Sequence, residues 1–206
     1  MAGFARSERL ALADLMLAEG PDAPTRCEGW TARDLAAHLV LRERRPDAAL
    51  GLLAKPLSGY TQSVQRRLRD RPWPSLVGAV RSGPPGPLRA LDEQMNLVEM
   101  FVHHEDVRRA RPEWSPRSLD AAEEQALWAR LRTMARLWRR RLPVAVTLDA
   151  PGYGSVAAGP GAPQVTVTGP PGELLLFIFG RQDVARVELS GPDTAVARLK
   201  SARLGF

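Results

Sequence analysis

His38 stands alone on one predicted helix, while His103 and His104 are adjacent on another, with Glu99 four residues before His103. At about 100° per residue, Glu99 and His103 fall within roughly 40° of each other on a helix and can reach one ion. A Glu-x-x-x-His pair on one helix and a lone His on a second make a three-ligand metal site if the helices pack together. Such a site leaves coordination positions open for water or substrate, as catalytic metals require. Asp106 returns to within about 20° of Glu99, whereas His104 is turned about 140° away. Asp92 and Asn96 sit on or near the same stripe.

Leu91, Met95, Val98 and Val102 line the face next to Glu99, and Leu97, Met100 and Phe101 cover much of the rest. This segment is expected to be the buried centre of a bundle. A carboxylate and an imidazole there need partners, and a metal ion would supply one. Asp106 and Asn96 are candidates to orient the imidazole of His103 from behind, and Asp34, one turn before His38, to orient that ring or bind a ligand. Taken singly, His38 among Leu35, Ala37, Leu39 and Val40 reads more readily as a satisfied core histidine than as a ligand. Glu99 and His103 alone read as an ordinary i,i+4 contact.

Around these residues the chain is helical for its first half. Residues 4–19 form an amphipathic pattern that stops at Gly20-Pro21. Thr31 with Asp34 approximates a capping box for a helix over 32–45. Helices are expected over 57–70, briefly after Pro74, and, beyond the break at 82–87, over 88–110. Four main helices with short connections suit an antiparallel bundle. After Pro116 a helix over 118–141 is followed by short β-type segments at 144–148, 154–157, 165–168 and 184–189. Helices are expected at 171–179 and 193–202. The fold class is α+β: a four-helix bundle over 1–115, then a small α+β domain over 116–206.

Bulk properties narrow the setting. The single Cys27 allows no intramolecular disulfide and excludes a Cys-rich zinc site. It reads as a small buried residue, the alternative being a reactive thiol near the metal. The net charge of +6 is almost all arginine. Its clusters, Arg66 to Arg71 and Arg139 to Arg141, sit in predicted helices and read as solvated faces rather than a nucleic-acid surface. The charged first twenty residues exclude a signal-peptide core, and the apolar run from Leu174 to Phe179 is too short to span a bilayer. A cytoplasmic protein, monomeric or homodimeric, is expected.

The stretch from Thr25 through Cys27, Trp30 and Asp34 to His38 resembles the N-terminal signature of the mycothiol-dependent maleylpyruvate isomerase family, one of the DinB-like metal-binding four-helix bundles. The segment from Asn96 to Ala110 resembles the family's Glu-x-x-x-His helix. The stretches 172–181 and 187–193 are similar to its small sterol-carrier-like α/β domain. The resemblance implies a divalent metal, most often zinc with nickel as an alternative, held by His38, Glu99 and His103. It implies a low-molecular-weight thiol cosubstrate, activated as thiolate, and a small-molecule substrate for isomerisation or transfer.

Arg181, after the apolar helix, could hold a carboxylate-bearing substrate, or could pair with Asp183 or cap the helix end. Two other readings stay open. One is a non-catalytic metal module closed by Asp34 or Asp106. The other is a metal-dependent hydrolase without thiol.

Overall fold

The computed structural model of the chain describes residues 3–49, 58–135, 142–162 and 164–205. The chain divides into two compact units, Met1–Ser115 and Pro116–Phe206.

The first unit is helical. Helix α1 (Phe4–Glu19) and helix α2 (Ala32–Arg44) are followed by a single turn, α3 (Pro46–Ala49), then α4 (Ser58–Arg69) and α5 (Trp73–Ser82). A 3₁₀ segment, Gly86–Leu91, leads into α6 (Asp92–Arg108). That helix therefore begins four residues later than the sequence pattern suggests, because Gly86 takes a φ of +58° and the chain winds more tightly until Asp92.

The start of α2 has a full capping box: Asp34 accepts from the Thr31 backbone at 3.0 Å, and the Thr31 side chain accepts from the Asp34 backbone. Helix α1 packs on α6 and α5, and α2 packs on α4 and α5. Their shared core includes Leu12, Met16, Leu35, Leu39, Leu76 and Met100. Complete burial of each such side chain is worth about 1.5–3 kcal/mol.

Burial in α6 begins at Asn96 and runs to Val107, with Val98, Glu99 and His103 only partly covered, while Met95 is 52% exposed and Leu91, just before the helix, 49%. The expectation of a buried central helix therefore holds from Asn96 onward and not for the first turn, although α1 reaches that turn through Ala5 and Arg9.

One charged cluster lies deep in the bundle. Arg9, 1% exposed, is bound to Glu43 at 2.7 Å and to Asp92 at 2.6 Å. It ties α1 to α2 and α6 with desolvated charges whose loss one at a time would be costly.

In the second unit, α7 (Ala121–Ala135) starts at Asp120, whose side chain accepts from the Glu123 backbone at 2.7 Å. The expected continuation to 141, with Arg139 to Arg141, lies outside the described residues. Strands β1 (Val146–Ala150), β2 (Gly154–Ala158), β3 (Val165–Thr168) and β4 (Glu188–Ser190) form one sheet in the order β2-β1-β3-β4. The β1–β3 pairing is parallel and the other two are antiparallel. Val146, Leu148, Val165 and Val167 point inward at every second position.

Helix α8 (Pro171–Ile178) is buried along its whole length and packs on α7 and β1. Its first turn is closed by Glu124, which accepts from the Gly172 backbone at 2.9 Å. It ends at Gly180, whose φ of +86° lies in the left-handed region. A Cβ there would come within 2.3 Å of the Leu204 carbonyl, so glycine is required. Strand β4 is shorter than expected because residues 181–185 turn back on the Arg181 carbonyl and Glu173 takes the Arg186 backbone at 2.7 Å. Helix α9 (Asp193–Ser201) follows.

The architecture is α+β, a helical bundle followed by a small mixed sheet. Among the described residues, no helix is long and apolar enough to cross a membrane.

Candidate metal centre

Helix α2 presents His38 and helix α6 presents Glu99 and His103. Glu99 Oε1 lies 3.5 Å from His38 Nε2 and 3.2 Å from His103 Nε2. One donor atom from each residue falls within 4.8 Å of the others. Tetrahedral coordination with bonds of about 2.0–2.1 Å requires donor separations of about 3.3–3.4 Å, so the two edges suit a single ion. Two imidazoles and a carboxylate suit zinc or nickel rather than calcium or magnesium. The side chains of His38, Glu99 and His103 are 14%, 22% and 12% exposed, which leaves the cluster open on the Glu99 side.

The two histidines differ in what stands behind them. His103 Nδ1 lies 2.9 Å from Asp106 Oδ2, and that carboxylate is fully buried. An ionised carboxylate only accepts, so Nδ1 carries the proton and Nε2 is the atom turned to Glu99. The loop before α2 closes over the same carboxylate: Cys27 Sγ lies 3.2 Å from Asp106 Oδ2 and 3.9 Å from His103 Nδ1. The Arg26 backbone donates to the Asp106 carbonyl at 3.0 Å and keeps that loop against α6. His38 Nδ1 is buried with no hydrogen-bond partner among the described residues. Its ring packs on Trp30, centroids 5.1 Å apart, and meets His103 edge-on at 5.7 Å.

These surroundings set the charges. Burial lowers the pKa of His38, outweighing its hydrogen bond to Glu99. Burial works against the charged form of His103 too, but hydrogen bonds to Asp106, Cys27 and Glu99 raise its pKa well above 6.5. Burial opposes ionisation of Glu99, yet His103, His38 and Arg42 hold its pKa well below the ordinary value. Without metal these contacts favour the protonated form of His103, whose Nε2 faces Glu99 on the line where a cation would bind.

Other residues singled out by sequence lie elsewhere. The Asp34 carboxylate is used by the Thr31 cap and by Arg69 at 3.0 Å. Asn96 does not reach His103: its side chain bonds Asp92 and Arg42. His104, turned away from Glu99 as its spacing predicts, is buried and paired with Glu8 at 2.7 Å. Arg181 donates to the Phe179 carbonyl at the end of α8, in the second unit. Arg66, Arg67, Arg69 and Arg71 are exposed, as expected of a solvated face.

Arg42 was not singled out by the sequence reading, although it lies one turn after His38 on the same stripe of α2. Its Nε is 3.5 Å from Glu99 Oε1. The i,i+4 spacing from His38 was the available signal.

No protein-family model and no curated protein matches the sequence. Solved structures do. The crystal structure of the mycothiol-dependent maleylpyruvate isomerase superposes with a TM-score of 0.55 and 17% identity, over 91% of this chain and 90% of that one. The chain has the fold of the mycothiol-dependent maleylpyruvate isomerase. A variant of that isomerase with one histidine changed to alanine matches over the same shares at a TM-score of 0.53. The isomerase fold thus spans both the helical bundle that carries the His38–Glu99–His103 cluster and the small mixed sheet.

Proposed function

We propose that the chain belongs to the mycothiol-dependent maleylpyruvate isomerase family and is a metal-dependent enzyme acting on a small molecule with a low-molecular-weight thiol. The observation that carries the reading is the convergence of His38 Nε2, Glu99 Oε1 and His103 Nε2 from two helices. Behind them the buried Asp106 fixes the tautomer of His103. The fold shared with a mycothiol-dependent isomerase supports the thiol as cosubstrate.

His38, Glu99 and His103 would hold the ion, zinc in the first place. Bound there, a divalent cation would lower the pKa of a coordinated thiol or water and supply a nucleophile at neutral pH. The chain's own residues do the rest. Asp106 keeps the proton of His103 on Nδ1, so that Nε2 offers a lone pair. Trp30 covers the face of His38 and restricts its ring. The partly exposed edge at Glu99 leaves room for ligands from solution. Isomerisation and thiol transfer both use such a thiolate, and the reaction is one of these two.

The test is metal content of protein purified without chelator or nickel column, for the wild type and for His38→Ala, Glu99→Gln and His103→Ala. About one equivalent in the wild type and loss in each variant is expected. Full metal content in the variants would overturn the site. Incubating the loaded protein with thiol and an electrophile, against a thiol-free control, tests the thiol. Turnover without thiol would favour hydrolysis instead.

A further inference from the structure

The Nε of Arg42 faces Glu99, but the rest of its guanidinium is fixed by α6. Nη1 donates to Asn96 Oδ1, and Nη2 to the Met95 carbonyl at 3.3 Å. Asn96 is itself oriented, because its amide nitrogen donates to Asp92 Oδ1 at 2.6 Å and leaves its oxygen for Arg42. Asp92 is anchored in turn by the buried Arg9 at 2.6 Å. A relay from Arg9 through Asp92 and Asn96 therefore sets the position of Arg42. Its side chain is 27% exposed beside Glu99 at 22%, at the open edge of the cluster.

A fixed cation beside a metal-ligating carboxylate is unfavourable for holding a dication alone, since the two positive charges repel. It becomes favourable when a negative ligand completes the site. With a dication bound and both imidazoles neutral, the ion and Arg42 together exceed the carboxylates of Glu99 and Asp106 by one positive charge. Such a site prefers one anion to a neutral ligand. Without the Arg42 charge the balance is zero, and water or a protonated thiol competes on more equal terms.

We propose that Arg42 is a specificity-determining residue: held by Asn96 and the Met95 carbonyl, it makes the His38–Glu99–His103 site select an anionic ligand, a thiolate above all, over a neutral one. The inference rests on the reading that these three residues hold a divalent metal.

The experiment uses the full chain loaded with Co²⁺, whose absorption spectrum reports what binds to it. Azide, and 2-mercaptoethanol bound as its thiolate with its proton released to buffer, serve as anionic probes and imidazole as the neutral one. Arg42→Gln is expected to take up cobalt in the wild-type ratio, to bind azide and the thiol on the order of tenfold more weakly, and to bind imidazole unchanged. Arg42→Lys is expected to retain most of the anion affinity. Unchanged azide and thiol binding in Arg42→Gln overturns the assignment. An equal loss of imidazole also overturns it, since Arg42 would then merely shape the site.

If Arg42→Gln does not fold, Asn96→Ser carries the same test by releasing a guanidinium that stays charged. Weaker azide binding with imidazole unchanged supports the relay, and no change refutes it. A wild-type protein that takes up no cobalt removes the metal site itself and this inference with it, a result distinct from failure at Arg42 alone.

Discussion

His103 donates its Nδ1 proton to the fully buried carboxylate of Asp106 across 2.9 Å. This hydrogen bond decides which nitrogen the ring offers and which way it faces. Asp106→Asn keeps the size of the side chain but removes its charge. The variant is expected to bind zinc about 10–100-fold more weakly, measured by competition with a chromophoric chelator. Equal affinity would mean that Asp106 does not orient His103.

Two donor sets share His103, and they make different predictions for Cys27. Cys27, His103 and Asp106 also form a group that could hold an ion, through Nδ1 rather than Nε2. The proposed site uses Nε2, so Cys27→Ala should retain its metal and lose about 1 kcal/mol of stability with the bond to Asp106. Metal analysis and a denaturant melt check both. Loss of metal in Cys27→Ala would move the site to the other side of the ring.

His104 should behave as a structural residue. It is buried and bonded to Glu8 on α1. His104→Ala is expected to lose about 1–3 kcal/mol of stability, read from denaturant unfolding, with metal content unchanged. The adjacent His103→Ala should show the opposite pattern in metal content.

The decline of stability with rising pH should disappear on metal binding. In the metal-free chain the pKa of His103 is raised well above 6.5. A raised histidine contributes stability that is complete below its unfolded value and lost as pH rises through its folded value. His38, lowered by burial, costs stability as pH falls below 6.5. Glu99, held low, contributes above its ordinary value of 4.5 and stops contributing only when acid protonates it in the fold. The melting temperature of the metal-free protein is therefore expected to decline as pH rises above 6.5. That of the zinc-loaded protein should rise slightly just above 6.5 and then level off, because the ion has replaced the His103 proton and only the unfolded histidines still titrate. Thermal melts with zinc and with chelator across a pH series test this. Parallel curves would show that no ligand proton is displaced.

What the sequence reveals of the site is what one helix turn carries. Glu99, His103 and Asp106 share a stripe of α6 because the helical repeat puts them there, and Thr31 with Asp34 announces a helix start within four residues. The α+β pattern was legible for the same reason, since period and breakers are local. What it conceals depends on packing between distant elements. His104 meets Glu8 only because α1 lies on α6. Asn96 turns away from His103 because Asp92 and Arg42 claim both ends of its amide. Cys27 reaches Asp106 because the Arg26 backbone bonds the Asp106 carbonyl, a contact between main chains that leaves no trace in side-chain identity.

The division of the proposed ligands between α2 and α6 bears on the order in which the site would assemble. Glu99 and His103 are near neighbours on one helix and can meet an ion as soon as that helix forms. His38 must be brought back across roughly sixty residues of intervening chain, at an entropic cost that only later packing recovers. During synthesis His38 emerges first and waits, and the pair on α6 arrives last. An ion captured early would be held by two ligands and exchange freely. On the proposed reading, tight retention would begin only when the bundle closes, so a chain still folding could not commit to an ion.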